Sequence, residues 1–154
     1  AGTGGVRARP VFIHRPEGEA GMNATENIWD ELIGAALRVL APRKISSIVE
    51  AGGVAAAVES ASGKIYVGVC VDGACTLGIC AERNAIFNMI TNGEGEIRRV
   101  VALNWEGKAM PPCGACRELM TQLMPGNYQK IEVMLNREGN KIVTLGELTP
   151  DWWI

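Results

Sequence analysis

Ile28, Leu32, Ala36 and Leu40 repeat every fourth residue, and Trp29, Ile33 and Leu37 fill the same stripe. That spacing predicts an amphipathic helix. It should start near Asn23–Thr25, where Asn or Thr can cap and Glu26 suits the first turn, and stop at Pro42. The period then shortens. Val54–Glu59 and Lys64–Val71 read as strands, with Ser60-Ala61-Ser62-Gly63 as the tight turn of a hairpin. Gly73–Ile79 reads as a loop. Cys80–Asn92 returns to helical spacing, with Ala81, Ala85, Ile86, Met89 and Ile90 on one side and Gly93 beyond its end. Ile97–Trp105 is apolar enough for a buried strand, and Glu106-Gly107-Lys108 turns the chain. Pro112 opens a helix over Cys113–Met124, ended by Pro125-Gly126. Lys130–Asn136 and Lys141–Leu145 are strands joined by Arg137-Glu138-Gly139-Asn140, a second hairpin signal. The order α-β-β-α-β-α-β-β predicts an α/β fold, a sheet covered by helices in a three-layer α-β-α sandwich. Met110, Met120, Met124 and Met134 are expected to fill core.

Residues 1–21 are rich in Gly, Arg and Pro and carry no sustained period, and the next Met after Ala1 is Met22. They are expected to be a tail, a remnant or mobile arm outside the fold, with 22–154 a single domain. The full 154 residues suit one domain, and 47% apolar residues suffice for a real core. Fifteen Lys+Arg against seventeen Asp+Glu leave a net charge of −2, which argues against a basic nucleic-acid footprint. Four Trp, two Tyr and two Phe are too few for a base-stacking platform. No uncharged stretch approaches the about 20 apolar residues that a membrane span needs, and no signal peptide is visible. Five Cys, an odd number without secretory features, point to a reducing, cytoplasmic setting where thiols serve metal or chemistry.

The thiols are also placed suggestively. Cys113-Gly114-Ala115-Cys116 opens one predicted helix and Cys80-Ala81-Glu82 opens another. Helix starts offer unpaired N–H groups and the positive end of the dipole, which favour thiolate, the metal-binding form. A lone C-x-x-C is ambiguous between redox and metal roles. A third helix-start Cys, coupled to Glu82, favours metal. Three thiolates would leave the fourth corner of a tetrahedral zinc open, as a catalytic site requires. The one His is His14, in the tail, so such a site has to be built from Cys. Three thiolates on Zn²⁺ carry surplus negative charge, and Arg83 is the natural cation to restrain it, with Arg117 second.

Cys80-Ala81-Glu82-Arg83-Asn84-Ala85 followed by Pro112-Cys113-Gly114-Ala115-Cys116-Arg117 resembles the zinc-dependent cytidine deaminases. The all-Cys ligand set is similar to the small homotetrameric branch of the wider superfamily. The resemblance runs from about Asn27 to Pro150, with Lys64–Gly68 matching the family's second strand and Gly146–Pro150 its C-terminal ending. It implies a mixed five-stranded sheet, Zn²⁺ as cofactor, and Cys80, Cys113 and Cys116 as its ligands. It implies Glu82 as the proton shuttle beside zinc-activated water, and the Ala81 N–H as a contact to the ring carbonyl. The expected partners are a small nucleoside-like substrate and further copies of the chain, a tetramer or a dimer, with no nucleic acid and no membrane.

The pattern also departs from the family. Where nucleoside-processing members carry G-x-N-x-E to hold the ribose, this chain reads Gly68-Val69-Cys70-Val71-Asp72. A thiol replaces an amide that offers two donors and an acceptor, and the carboxylate of Asp72 is one methylene shorter. The family's Phe-Pro ahead of the first strand becomes Ala51-Gly52-Gly53-Val54, its loop Tyr becomes Cys75, and its Arg-Gln after the last Cys becomes Arg117-Glu118. Cys70, Asp72 and Ala81 remain the candidate substrate contacts. The expected reaction is hydrolytic removal of the exocyclic amine of a cytosine-like nucleoside or analogue, of the blasticidin S type for example. The alternatives are a free base or other amino-heterocycle as substrate, or a non-catalytic structural-zinc module. Cys70 could close the site as a fourth ligand or simply pack. Trp152-Trp153 could anchor the core or reach a neighbouring subunit's site.

Overall fold

Helix α1 (Ala24–Val39) runs where the four-residue repeat places it, burying Ile28, Trp29, Leu32, Ile33 and Ala36. Leu37 lies at the margin of that stripe and is half exposed. The computed structural model describes residues 12–13 and 24–154. Strand β1 (Phe12–Ile13) pairs antiparallel with β4 (Ile65–Asp72), although it falls in the segment expected to lie outside the fold. The expectation for the rest of 1–21 lies outside the described residues.

Beyond Pro42, β2 (Arg43–Lys44) pairs with the start of β3 (Glu50–Ser60), which forms the expected hairpin with β4. β3 begins four residues earlier than its apolar run. Gly52 carries it through a register shift at φ +81°, where a Cβ would lie 2.1 Å from the Ala41 carbonyl oxygen. Then come α2 (Ala81–Thr91), β5 (Ile97–Leu103), β6 (Ala109–Met110) and α3 (Gly114–Leu123). A 3₁₀ turn at Tyr128–Lys130, β7 (Glu132–Asn136), β8 (Lys141–Thr144) and α4 (Leu145–Leu148) complete the order. The five long strands are those expected, in spatial order β4-β3-β5-β7-β8. Of the two-residue strands, β1 extends the edge at β4, while β2 and β6 pair with the ends of β3 and β5, making an eight-stranded sheet. It is mixed, because β5 and β7 run parallel while the other neighbours are antiparallel.

Alternation along the strands splits the core in two. Ala55 and Ala57 of β3, Ile65 and Val67 of β4, and Val101 and Leu103 of β5 face α1. Ala56, Val58, Tyr66, Val100 and Ala102 face α2, α3 and α4. Central strands buried on both faces read as continuous apolar runs rather than as alternation. The interior charge Glu59 is matched by its cross-strand neighbour Arg99, 2.7 Å away, and Arg99 also reaches Glu132 at 2.6 Å.

The topology creates one functional edge. β4 and β5 are both antiparallel to β3, so they run in the same direction and end at the same edge, where β3 begins. In α/β sheets ligands bind outside the carboxyl ends of strands, and the segments that leave β4 and β5 here carry the cysteines.

Candidate metal and substrate site

Leaving β4, the chain loops out and returns to it. Val71 and Ile79 exchange N–H···O bonds of 3.0 and 2.8 Å, and Cys80 follows as the N-cap of α2. The helix then lies hard against β4. A Cβ on Gly68 would stand 2.3 Å from the Ala85 nitrogen and 2.7 Å from the Ala81 oxygen, so only glycine permits the approach. Asn84 and Asn88 lock it by donating to the carbonyls of Val69 and Val67 at 2.9 and 3.2 Å. On the other side, Cys113 is the N-cap of α3 and Cys116 lies buried in its first turn. Arg117 donates to Pro112 O and to Leu148 O, both at 2.9 Å, and so ties this helix start to α4. Its guanidinium is therefore committed to carbonyls.

The two helix starts meet. Cys80 Sγ is 3.4 Å from Cys113 Sγ, which is 3.6 Å from Cys116 Sγ, and all three sulfurs lie within 4.8 Å of one another. A tetrahedral zinc with Zn–S near 2.3 Å needs sulfurs about 3.8 Å apart, so the triangle is the right size for such an ion. Soft sulfur donors also suit zinc. Among the described residues no carboxylate, imidazole or further thiol joins the triangle. Cys70 stands apart, accepting from Val54 N at 3.2 Å and facing Asp72 Oδ2 at 3.6 Å. Arg83 brings its Nη2 to 3.9 Å from Cys80 Sγ, placed to offset thiolate charge.

The electrostatics are uneven. Burial is the main force raising the pKa of Cys116, and the nearby Glu82 carboxylate adds to it. Burial also raises Cys80, with the Cys113 thiol adding. For Cys113 burial pulls upward too, but the backbone N–H groups of Cys116 and Ala115 and the two neighbouring thiols outweigh it, so its pKa falls. Arg83 is raised chiefly by its bond to Cys80. Glu82, only 5% exposed in the first turn of α2, has its pKa raised by burial, with smaller opposing contributions from backbone N–H, Cys116 and Arg83. A carboxyl tuned upward is suited to both taking and giving a proton near neutrality.

A cleft of about 500 Å³ opens over these groups. Cys70, Asp72, Ala81, Glu82 and Arg83 all line it, together with Cys80 and Cys113, so the candidate residues converge on one space. Gly53, Val54, Gly78, Ile79, Trp105, Met110 and Pro111 complete its walls, and none of them was named as a candidate site residue from the sequence. Trp105 reads there as the end of a strand, but Asn104 and Gly107 around it are turn signals, and the structure uses them. Trp152 is half-buried against the α2–α3 core while Trp153 is exposed, and both indoles donate to Glu118 at 3.0 Å.

No family model matches the chain. A cytidine deaminase of Halalkalibacterium halodurans is 32% identical over 99 residues, which are 63% of this chain and 74% of the relative. The crystal structure of a cytidine deaminase from Burkholderia pseudomallei superposes with a TM-score of 0.61 at 30% identity, covering 80% of this chain and 98% of the other. A Mycobacterium tuberculosis cytidine deaminase superposes with a TM-score of 0.66 over 82% of this chain and 97% of its own, at 22% identity, a likeness of fold alone.

Proposed function

The chain belongs to the cytidine deaminase family, and on that premise we propose that it is a zinc-dependent hydrolase that replaces the exocyclic amine of a cytosine-like ring with oxygen and releases ammonia. The observation that carries the reading is the convergence of three cysteine sulfurs from two helix starts beside a buried carboxyl group on the floor of one cleft. Cys80, Cys113 and Cys116 would hold the metal, with Arg83 tempering their charge. Zinc held there would supply Lewis acidity, making water a nucleophile near neutral pH.

The protein's own part is positioning and proton transfer. Glu82 takes one proton from the attacking water and gives it to the ring nitrogen, where it stays. It then carries the second proton from the hydroxyl on the attacked carbon to the departing amine, so that water and an amino-heterocycle leave as a ring carbonyl and ammonia. Its burial supports this, because raising the pKa makes the carboxylate a stronger base towards water while leaving the acid form able to give the proton back. The Ala81 N–H, at the first position of α2, lacks a partner within the helix and is free to hold the ring carbonyl. Asp72 and Cys70 flank the part of the substrate outside the ring. A cytoplasmic, reducing setting fits the chemistry, since the three thiols must stay unoxidised to bind metal. Phe87 and Ile90, exposed on the outer face of α2, support a homo-oligomer, a tetramer by family resemblance.

The test pairs metal content with activity. Wild type and Glu82→Gln should each carry one zinc per chain, while ammonia release falls by about 10²–10⁴-fold in the variant, the range of general acid–base catalysis. Undiminished release by Glu82→Gln, or no zinc in either protein, would overturn the reading.

A further inference from the structure

The reacting end of the cleft is explained by the thiols and Glu82; its outer end is not. Trp105 lines the same cleft yet is 71% exposed, and among the described residues nothing hydrogen-bonds to its indole. Its turn is rigid. Asn104 Oδ1 accepts from the N–H groups of Glu106 and Lys108, both at 3.0 Å. Asn104 and Lys108 are also paired through the backbone, Gly107 turns at φ +75°, and β6 returns along β5 with Leu103 opposite Ala109. A large indole is thus presented at the mouth of the site on a backbone already fixed by its own turn, so a stacking contact there need not order the loop that carries it.

The other walls fit the same purpose. Gly53 contributes no side chain, although a Cβ there would meet nothing nearer than Cys70 Sγ at 3.9 Å, so the cleft is wider at that point than packing requires. The Cys70 thiol is engaged by Val54 N and by Asp72 Oδ2, so of this pair only the Asp72 carboxylate is left to receive sugar hydroxyls. Val54, Met110 and Pro111 add apolar surface.

We propose that Trp105 is a specificity-determining residue whose indole stacks on the portion of the substrate extending beyond the reacting ring, and that the cleft favours amino-heterocycles bearing a flat, largely apolar appendage over a bare pentose. The proposal rests on the deaminase reading for its reacting ring and goes beyond it in naming the substrate class.

Three probes separate the contributions: cytosine has no appendage, cytidine a polar one, and 1-benzylcytosine a flat apolar one. Ammonia release gives kcat and KM for wild type, Trp105→Ala and Trp105→Phe, and equilibrium dialysis gives Kd. Wild type should prefer 1-benzylcytosine to cytidine. Trp105→Ala should weaken kcat/KM and binding for 1-benzylcytosine by about tenfold to a hundredfold, the range for loss of one stacking aromatic, through KM with kcat held. Trp105→Phe should retain most of the preference, and cytosine should be unaffected by either change. An equal loss on all three probes, a wild-type preference for cytidine, or a Trp105→Ala protein that changes only its oligomeric state overturns the proposal. If wild type releases no ammonia from any probe, the deaminase reading fails on its own. The dialysis contrast between wild type and Trp105→Ala then still decides for or against the stacking role.

Discussion

Glu94 shows how much one residue can hold. Lying beyond the end of α2, it accepts from Ser62, Tyr66 and Lys64, whose side chains lie in the β3–β4 turn and on β4, at 2.8–3.0 Å. Burial alone would raise its pKa, but bonds from Ser60, Ser62, Lys64 and Tyr66 together hold it down at about 2. Tyr66 responds in the opposite sense: burial first, then the carboxylate, push its hydroxyl up to about 12. A carboxylate depressed in the folded state contributes stability that is present above the unfolded value, about 4.3, and is lost as pH falls toward 2. Chemical denaturation between pH 6 and pH 2 should therefore show an acid loss that flattens in Glu94→Gln. At neutral pH, Tyr66→Phe should cost about 1.5–3 kcal/mol, the usual worth of a hydrogen bond to a charged group. An unchanged acid limb in Glu94→Gln would show that this carboxylate is not a source of the pH dependence. None of this network is visible in the sequence, because Glu94 is 28 residues from Tyr66 and no local spacing links them.

At the scale of elements, glycine and close packing set the position of α2. Gly68→Ala pushes a methyl into the backbone of Ala81 and Ala85. Overpacking of this kind costs about 1–3 kcal/mol. Because α2 carries Cys80 and Glu82 at its start, the same shift should lower kcat by roughly 10²-fold, as ångström misplacements do. Thermal denaturation and turnover measured together would check both effects. A Gly68→Ala protein of normal stability and rate would mean that α2 yields without consequence. The long helices, the five main strands and both cysteine-bearing helix starts were legible because each has many residues in one period. What escaped notice was short or depended on contacts between elements. β1, β2 and β6 are two residues each, too short for any period. The start of β3 was hidden by Gly52-Gly53, which look like breakers but serve a bulge. The strand expected over Lys141–Leu145 took in the first residue of helix α4 and the helix itself was not foreseen, although Thr144 and Glu147 form a capping box whose spacing is visible in the sequence. Trp105 was assigned to β5 because its apolar neighbours continue the run, whereas the Asn104 side chain closes the turn one residue earlier.

For the whole molecule, the two-sided core means that metal is not required for the sheet to assemble. Both apolar layers are continuous without it, and zinc would join only the starts of α2 and α3. Removing metal with a chelator should leave the far-ultraviolet circular dichroism near its starting value while lowering Tm. For a site held at about 100 times its Kd the loss is about 2.7 kcal/mol, or roughly 5–10 °C for a domain of this size. Complete unfolding on chelation would show that the ion, not the core, carries the fold. The family was legible because the cysteine spacing is a chemical requirement. The cleft's outer wall was not, because it is assembled from four separate segments that only the topology brings together.

Cys80 and Cys113 are 33 residues apart, and the strand β5 lies between them. A nascent chain therefore presents Cys113 and Cys116 as a ready local pair, while the third sulfur arrives only after β5 has docked beside β3, a long-range closure and hence a slow one. If zinc is held there, its full-strength capture would be a late event in folding, and the rate at which the ion becomes inert to exchange would report the rate at which the sheet is completed.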